Sequence, residues 1–142
     1  MTAFKSLTRV HTWVLDEKRQ RLAGIEELVD KMKGDLANLE AELESENRAA
    51  SASIEGTVAF PAFIAANLER RRRLRQTIAE LEESVEAARE EVRGAFAEMK
   101  KYERMRDLED QQKHDERAKR DQAALDEVGT ARYQRDHALG EE

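Results

Sequence analysis

Glu55-Gly56-Thr57-Val58-Ala59-Phe60-Pro61 contains the only proline of the 142-residue chain, and its reading decides the fold. On either side the sequence reads as charged, amphipathic helix, so this stretch determines whether those helices run on or fold back. Gly56 offers a helix stop, Thr57 a possible N-cap, and Pro61 suits a first helical turn, where its missing N–H leaves no bond unmade. The resulting expectation is an all-α, two-helix antiparallel coiled-coil hairpin with a long C-terminal helical overhang. It places helix one over about residues 2–54, the turn at 55–60 and helix two over about 61–138, in a single coiled-coil domain, 1–142. Phe60 and Phe63 are read as closing the turn rather than meeting a partner.

Outward from the turn, apolar residues recur at steps of three and four. Upstream the seam is Leu15, Leu22, Ile25, Val29, Met32, Leu36, Leu39 and Leu43, with Lys18 as a weak layer. Downstream it is Leu74, Ile78, Leu81, Val85, Ala88, Val92, Ala95, Met99 and Tyr102. Both follow the heptad spacing that buries one stripe of a helix against another. The stripe is expected to change phase near Val14, because Leu7, Val10 and Val14 are out of step with Leu15, and again after Tyr102. Matched shifts at one level of a hairpin would mark a change of supercoil.

Antiparallel pairing keeps the sum of facing residue numbers constant. A sum of 117 gives the most apolar pairs, among them Leu43 with Leu74, Leu36 with Leu81 and Leu15 with Tyr102, and it centres the turn between Val58 and Ala59. In that register Met1 reaches about Glu116, which leaves some 25 residues, roughly 40 Å of helix, without a partner strand.

Composition agrees with a thin seam and narrows the function classes. Charged residues make up 39% of the chain and aromatic residues 5%, too few apolar groups for a broad core and typical of long helices. The net charge of −6 divides into −2 over residues 1–50, −1 over 51–63, zero over 64–100 and −3 over 101–142, so no segment is basic enough to read as a nucleic-acid binder. Cysteine is absent, which removes disulfide and thiolate chemistry and fits a reducing compartment. No stretch approaches the roughly 18 apolar residues of a membrane span, so no direct membrane insertion is expected. The expected location is cytoplasmic.

The remaining motifs point to contact surfaces rather than chemistry. Arg70, Arg71, Arg72, Arg73 and Arg75 encircle the helix as a collar; they either pair with Glu40, Glu42, Glu44 and Glu46 or, with Arg71 foremost, meet a partner. Trp13 and Phe96 flank the seam and serve either as a binding hot spot or as a local broadening of the seam. His11, His114 and His137 are too dispersed for a ligand set, although Asp110 and His114 share a face, so no metal and no cofactor is expected. Carboxylates on so thin a scaffold cannot be desolvated enough to become general acids or bases, and no phosphate-binding loop occurs. The chain is read as having no enzymatic activity.

Three stretches resemble the FliJ family, the soluble coiled-coil component of the bacterial flagellar type III export apparatus. They are Leu7 to Arg19, Ala88 to Glu103, and Arg117 to Glu127, the last a basic and glutamine run ending in Leu125-Asp126-Glu127. The resemblance covers nearly the whole chain. It implies a stalk similar to the central shaft of rotary ATPases, inserted into the hexameric export ATPase. It also implies contact with the cytoplasmic domain of the membrane export gate, an escort role toward export chaperones, and a position at the flagellar base, peripheral to the inner membrane. Leu125, Asp126 and Glu127 are the matching element, and together with Trp13, Phe96 and Arg71 they are the candidate partner contacts. The alternative is a self-associating structural coiled coil, or the equivalent stalk of a virulence secretion system.

Overall fold

A computed structural model describes residues 3–140. Among them are two α-helices, α1 (Ala3–Ala50) and α2 (Ile54–Gly140), and no strands. The described helices divide between two compact units, one of residues 12–97 and one joining residues 3–11 and 98–140. No helix among the described residues is long and apolar enough to cross a membrane.

The 12–97 unit is an antiparallel hairpin. All the upstream seam residues, and the downstream ones from Leu74 to Ala95, are buried or half-buried, with Leu15, Val29, Ile78, Val85 and Ala88 most enclosed. Periodic leucine and valine put these side chains on one stripe of each helix, and removing that stripe from water is what holds the pair together.

The turn lies elsewhere than expected. The break is Ser51–Ser53, and residues 55–60 are helical, with Pro61 inside α2. Serine chemistry explains the shift. The Ser53 hydroxyl accepts the Gly56 N–H at 3.0 Å, the N-cap to N3 bond that starts a helix at Ile54. Thr57 then donates its hydroxyl to the Ala50 carbonyl at 2.8 Å, satisfying an end group of α1 from the first turn of α2. Gly56 is therefore a close-approach residue and not a stop: a Cβ there would stand 2.9 Å from Ser53 Oγ and 3.1 Å from Ala50 Cα. Phe60 and Phe63, ring centroids 6.5 Å apart, are half-buried and line a recess beside the turn with Ala49, Ala50 and Gly56.

Moving the turn moves the register. Cross-strand bonds join Asn67 to the Leu39 carbonyl, Arg71 and Arg75 to Glu40, Lys33 to Glu82, Arg89 to Glu26, and Lys18 to Glu91. The residue numbers of these pairs add to between 106 and 115, on average closer to 110 than to the expected 117, one heptad higher. At 110 Leu36 is level with Leu74 and Met32 with Ile78. Counting apolar pairs misses this arrangement because it puts Asn67 and Arg71 in the seam. Asn67 is 3% exposed, its amide nitrogen donating to the Leu39 carbonyl at 2.9 Å, and the Arg71 side chain is 17% exposed against Glu40.

In the second unit the expected phase changes do not occur. Thr8 is buried and His11 half-buried, seven and four residues before Leu15 on α1, while Leu7 and Val10 are exposed. The Thr8 hydroxyl donates to the Phe4 carbonyl at 2.7 Å, and the His11 ring stacks on Tyr102 at 4.5 Å. Polar residues carry the buried stripe here, so an apolar count places it instead at Leu7 and Val10. On α2, Met99, Tyr102, Arg106 and Glu109 keep the same phase, half-buried, and Leu108 is exposed. Every described residue from Asp110 to Gly140 is exposed. The fully exposed run thus begins at Asp110, about one heptad earlier than expected.

Candidate functional site

The candidate contacts fall into three surfaces, each built by helix periodicity alone. Trp13 and Phe96 both belong to the 12–97 unit and sit off the buried stripe of their helices, where they are 61% and 42% exposed. An indole that keeps more than half its surface in water on a polar helix is the kind of anchor interfaces use.

The arginine collar is largely engaged internally. Arg71 and Arg75 converge on one Glu40 carboxylate oxygen at 3.3 and 3.4 Å, while Arg72 and Arg73 converge on Glu69 at 2.9 and 3.0 Å. Hydrogen bonds from Arg72, then Arg73, favour the ionised carboxylate and lower the Glu69 pKa from 4.5 to about 2; the same bond raises that of Arg72. Of the four glutamates expected to face the collar, Glu40 meets it across the hairpin, whereas Glu44 pairs with Arg48 on its own helix. Arg71, a candidate partner contact by sequence, is thus placed within the hairpin seam.

The third surface is the 110–140 segment of α2. Leu125 is 66% exposed, with Val128, Tyr133 and Leu139 similarly open to solvent. Asp126 accepts the Gln122 side-chain amide at 3.0 Å and its backbone carbonyl accepts the Thr130 hydroxyl at 2.9 Å, local bonds that stiffen the helix. Leu125, Asp126 and Glu127 are consecutive on an exposed helix and so spread over most of its circumference. The structure does not gather these residues with Trp13 and Phe96 into one site within either unit. The histidines also stand apart: His11 lies on Tyr102, and His137 packs its ring on Tyr133 at 3.9 Å.

Sequence reasoning missed Asn67, Thr8 and His11 as seam residues. The signal was present, since His11 lies four residues from Leu15 and Thr8 and Asn67 lie seven from Leu15 and Leu74, but only for a reading that admits polar groups.

The family model described as Flagellar FliJ protein matches residues 1–138. The chain belongs to the FliJ family. No curated protein and no solved structure matches it. FliJ proteins are structural components of flagellar export, not known enzymes. The match reaches into both compact units and covers all but the last two residues of the three candidate surfaces.

Proposed function

We propose that this FliJ-family chain is a non-enzymatic stalk and adaptor of flagellar protein export. It inserts into the export ATPase hexamer, links that ring to the cytoplasmic domain of the membrane export gate and receives export chaperones, at a peripheral position on the inner membrane. The family match over 1–138 carries this reading. Two physical features support it. A run of 31 exposed residues, 110–140, remains helical without a packing partner, which suits a helix that completes its burial inside another protein. The exposed Trp13 supplies a separate anchor for a second partner.

Removal of residues 116–142 tests it. The truncated chain is expected to keep its hairpin helicity by circular dichroism and to lose stimulation of the cognate export ATPase. Undiminished stimulation would sink the stalk reading. Pull-down of the gate's cytoplasmic domain by the full chain and by Trp13→Ala separates the two contacts.

A further inference from the structure

The hairpin carries the parts of two registers. In the observed one, near a sum of 110, the turn is Ser51–Ser53, capped by Ser53 and tied by Thr57 to the Ala50 carbonyl. That arrangement leaves Asn67 Oδ1 and Arg71 Nε buried without a hydrogen-bond partner. It also places Pro61 inside α2, where it has no N–H to give the Thr57 carbonyl. Each of these is a cost that a fixed hairpin gains nothing from keeping.

One displacement changes the surroundings of all three. With facing residue numbers adding to 117, Leu43 meets Leu74, Leu39 meets Ile78, Leu36 meets Leu81 and Met32 meets Val85. Arg71 then faces Glu46, and Asn67 moves toward the turn. A second turn of suitable composition already exists for that register: with 55–60 unwound, Pro61 becomes the first helical residue, the position in which proline is best tolerated. Heptad spacing makes the two states alternatives and forbids the intermediates, because any smaller slide takes leucines out of the seam.

We propose that the hairpin is a two-register device, in which α1 slides against α2 by one heptad, about 10 Å, as the turn passes from 51–53 to 55–60. The observed register is held by the Ser53 cap, the Thr57 bond, the Asn67 bond to Leu39 and the Arg71–Glu40 pair. A ligand that competes for Glu40 or for Arg71 shifts the population toward the second register. The inference rests on seam and turn chemistry alone and is independent of the export reading.

The absence of cysteine allows a direct test in the full chain by oxidative cross-linking under mild conditions. Leu36→Cys with Leu74→Cys reports the observed register, Leu36→Cys with Leu81→Cys the second, and Leu36→Cys with Ala88→Cys, facing in neither, reports fraying. The 36/74 pair is expected to form fastest and the 36/81 pair about tenfold faster than the 36/88 control, as for a minor state of a few per cent. Adding Pro61→Ala, which removes the cost of a proline inside α2 and the first-turn preference of the second register while leaving the bonds that hold the observed one, should bring the 36/81 rate down to the control. Equal rates for 36/81 and 36/88 in the starting chain overturn the proposal. So does a fast 36/81 reaction that Pro61→Ala leaves unchanged, since it would then arise from general opening. Circular dichroism of each reduced variant confirms that the rates compare folded hairpins.

Discussion

Replacing Gly56 by alanine opposes two effects whose sizes are separable. Inside a helix the change is normally stabilising by about 1 kcal/mol, since alanine loses less backbone freedom on folding. At Gly56 the new methyl would stand 2.9 Å from Ser53 Oγ, 3.1 Å from Ala50 Cα and 3.5 Å from the Ala49 carbonyl. Swinging the serine hydroxyl away gives up its bond to the Gly56 N–H, worth about 1 kcal/mol as a cap. Ala50 Cα is backbone in the last turn of α1, and moving it strains the Thr57 tie at a cost of about 1–3 kcal/mol, typical of overpacking. Gly56→Ala should therefore destabilise the hairpin by about 1–3 kcal/mol. Gly24, Gly34 and Gly94 have nothing within 4 Å of an added Cβ, and alanine at each should stabilise by about 0.5–1 kcal/mol. Urea unfolding followed at 222 nm compares the four variants. In Ser53→Ala the cap is already lost and the closest clash removed, so the two substitutions together should cost less than their sum. The reasoning fails if Gly56→Ala is stabilised like Gly24→Ala.

Two further outcomes follow from side-chain contacts. Glu69 has its pKa lowered in the folded chain, so its contribution is fully present above pH 4.5 and is lost as pH falls toward about 2. The stability difference between the parent chain and Glu69→Gln should narrow across that window and stay flat from pH 5 to 8. A carboxyl titration by NMR that places Glu69 at an ordinary value would contradict it. His11→Ala should cost about 0.5–1.5 kcal/mol through loss of its stacking on Tyr102. Val10→Ala, one position away and 54% exposed, should stay within about 0.5 kcal/mol of the parent. Equal effects at the two positions would count against a seam that passes through His11.

The seam itself was legible because leucine, isoleucine and valine at three- and four-residue steps admit few other readings, and every seam residue named from sequence is at least half-buried. The turn was misplaced because Gly56 and Pro61 are louder punctuation than Ser53, although the serine does the capping. Register then followed the turn into error by one heptad. Pair counting valued only apolar matches, whereas Asn67 and Arg71 enter the seam with polar partners supplied by the opposite helix, a backbone carbonyl and Glu40. The candidate surfaces were legible in part. Trp13 is exposed as its offset from the stripe implied, while Arg71 is drawn inward by a carboxylate whose distance depends on the register.

The exposed run from Asp110 to Gly140 has a thermodynamic consequence of its own. A helix whose side chains touch only solvent and one another has a coil-to-helix free energy close to zero, however regular its geometry. Its amide protons should then exchange with solvent orders of magnitude faster than those of the hairpin. Any surface that encloses it supplies nearly all of its cohesion. For this segment, affinity for a partner and resistance to unravelling are one quantity measured twice, and a substitution that weakens either weakens both.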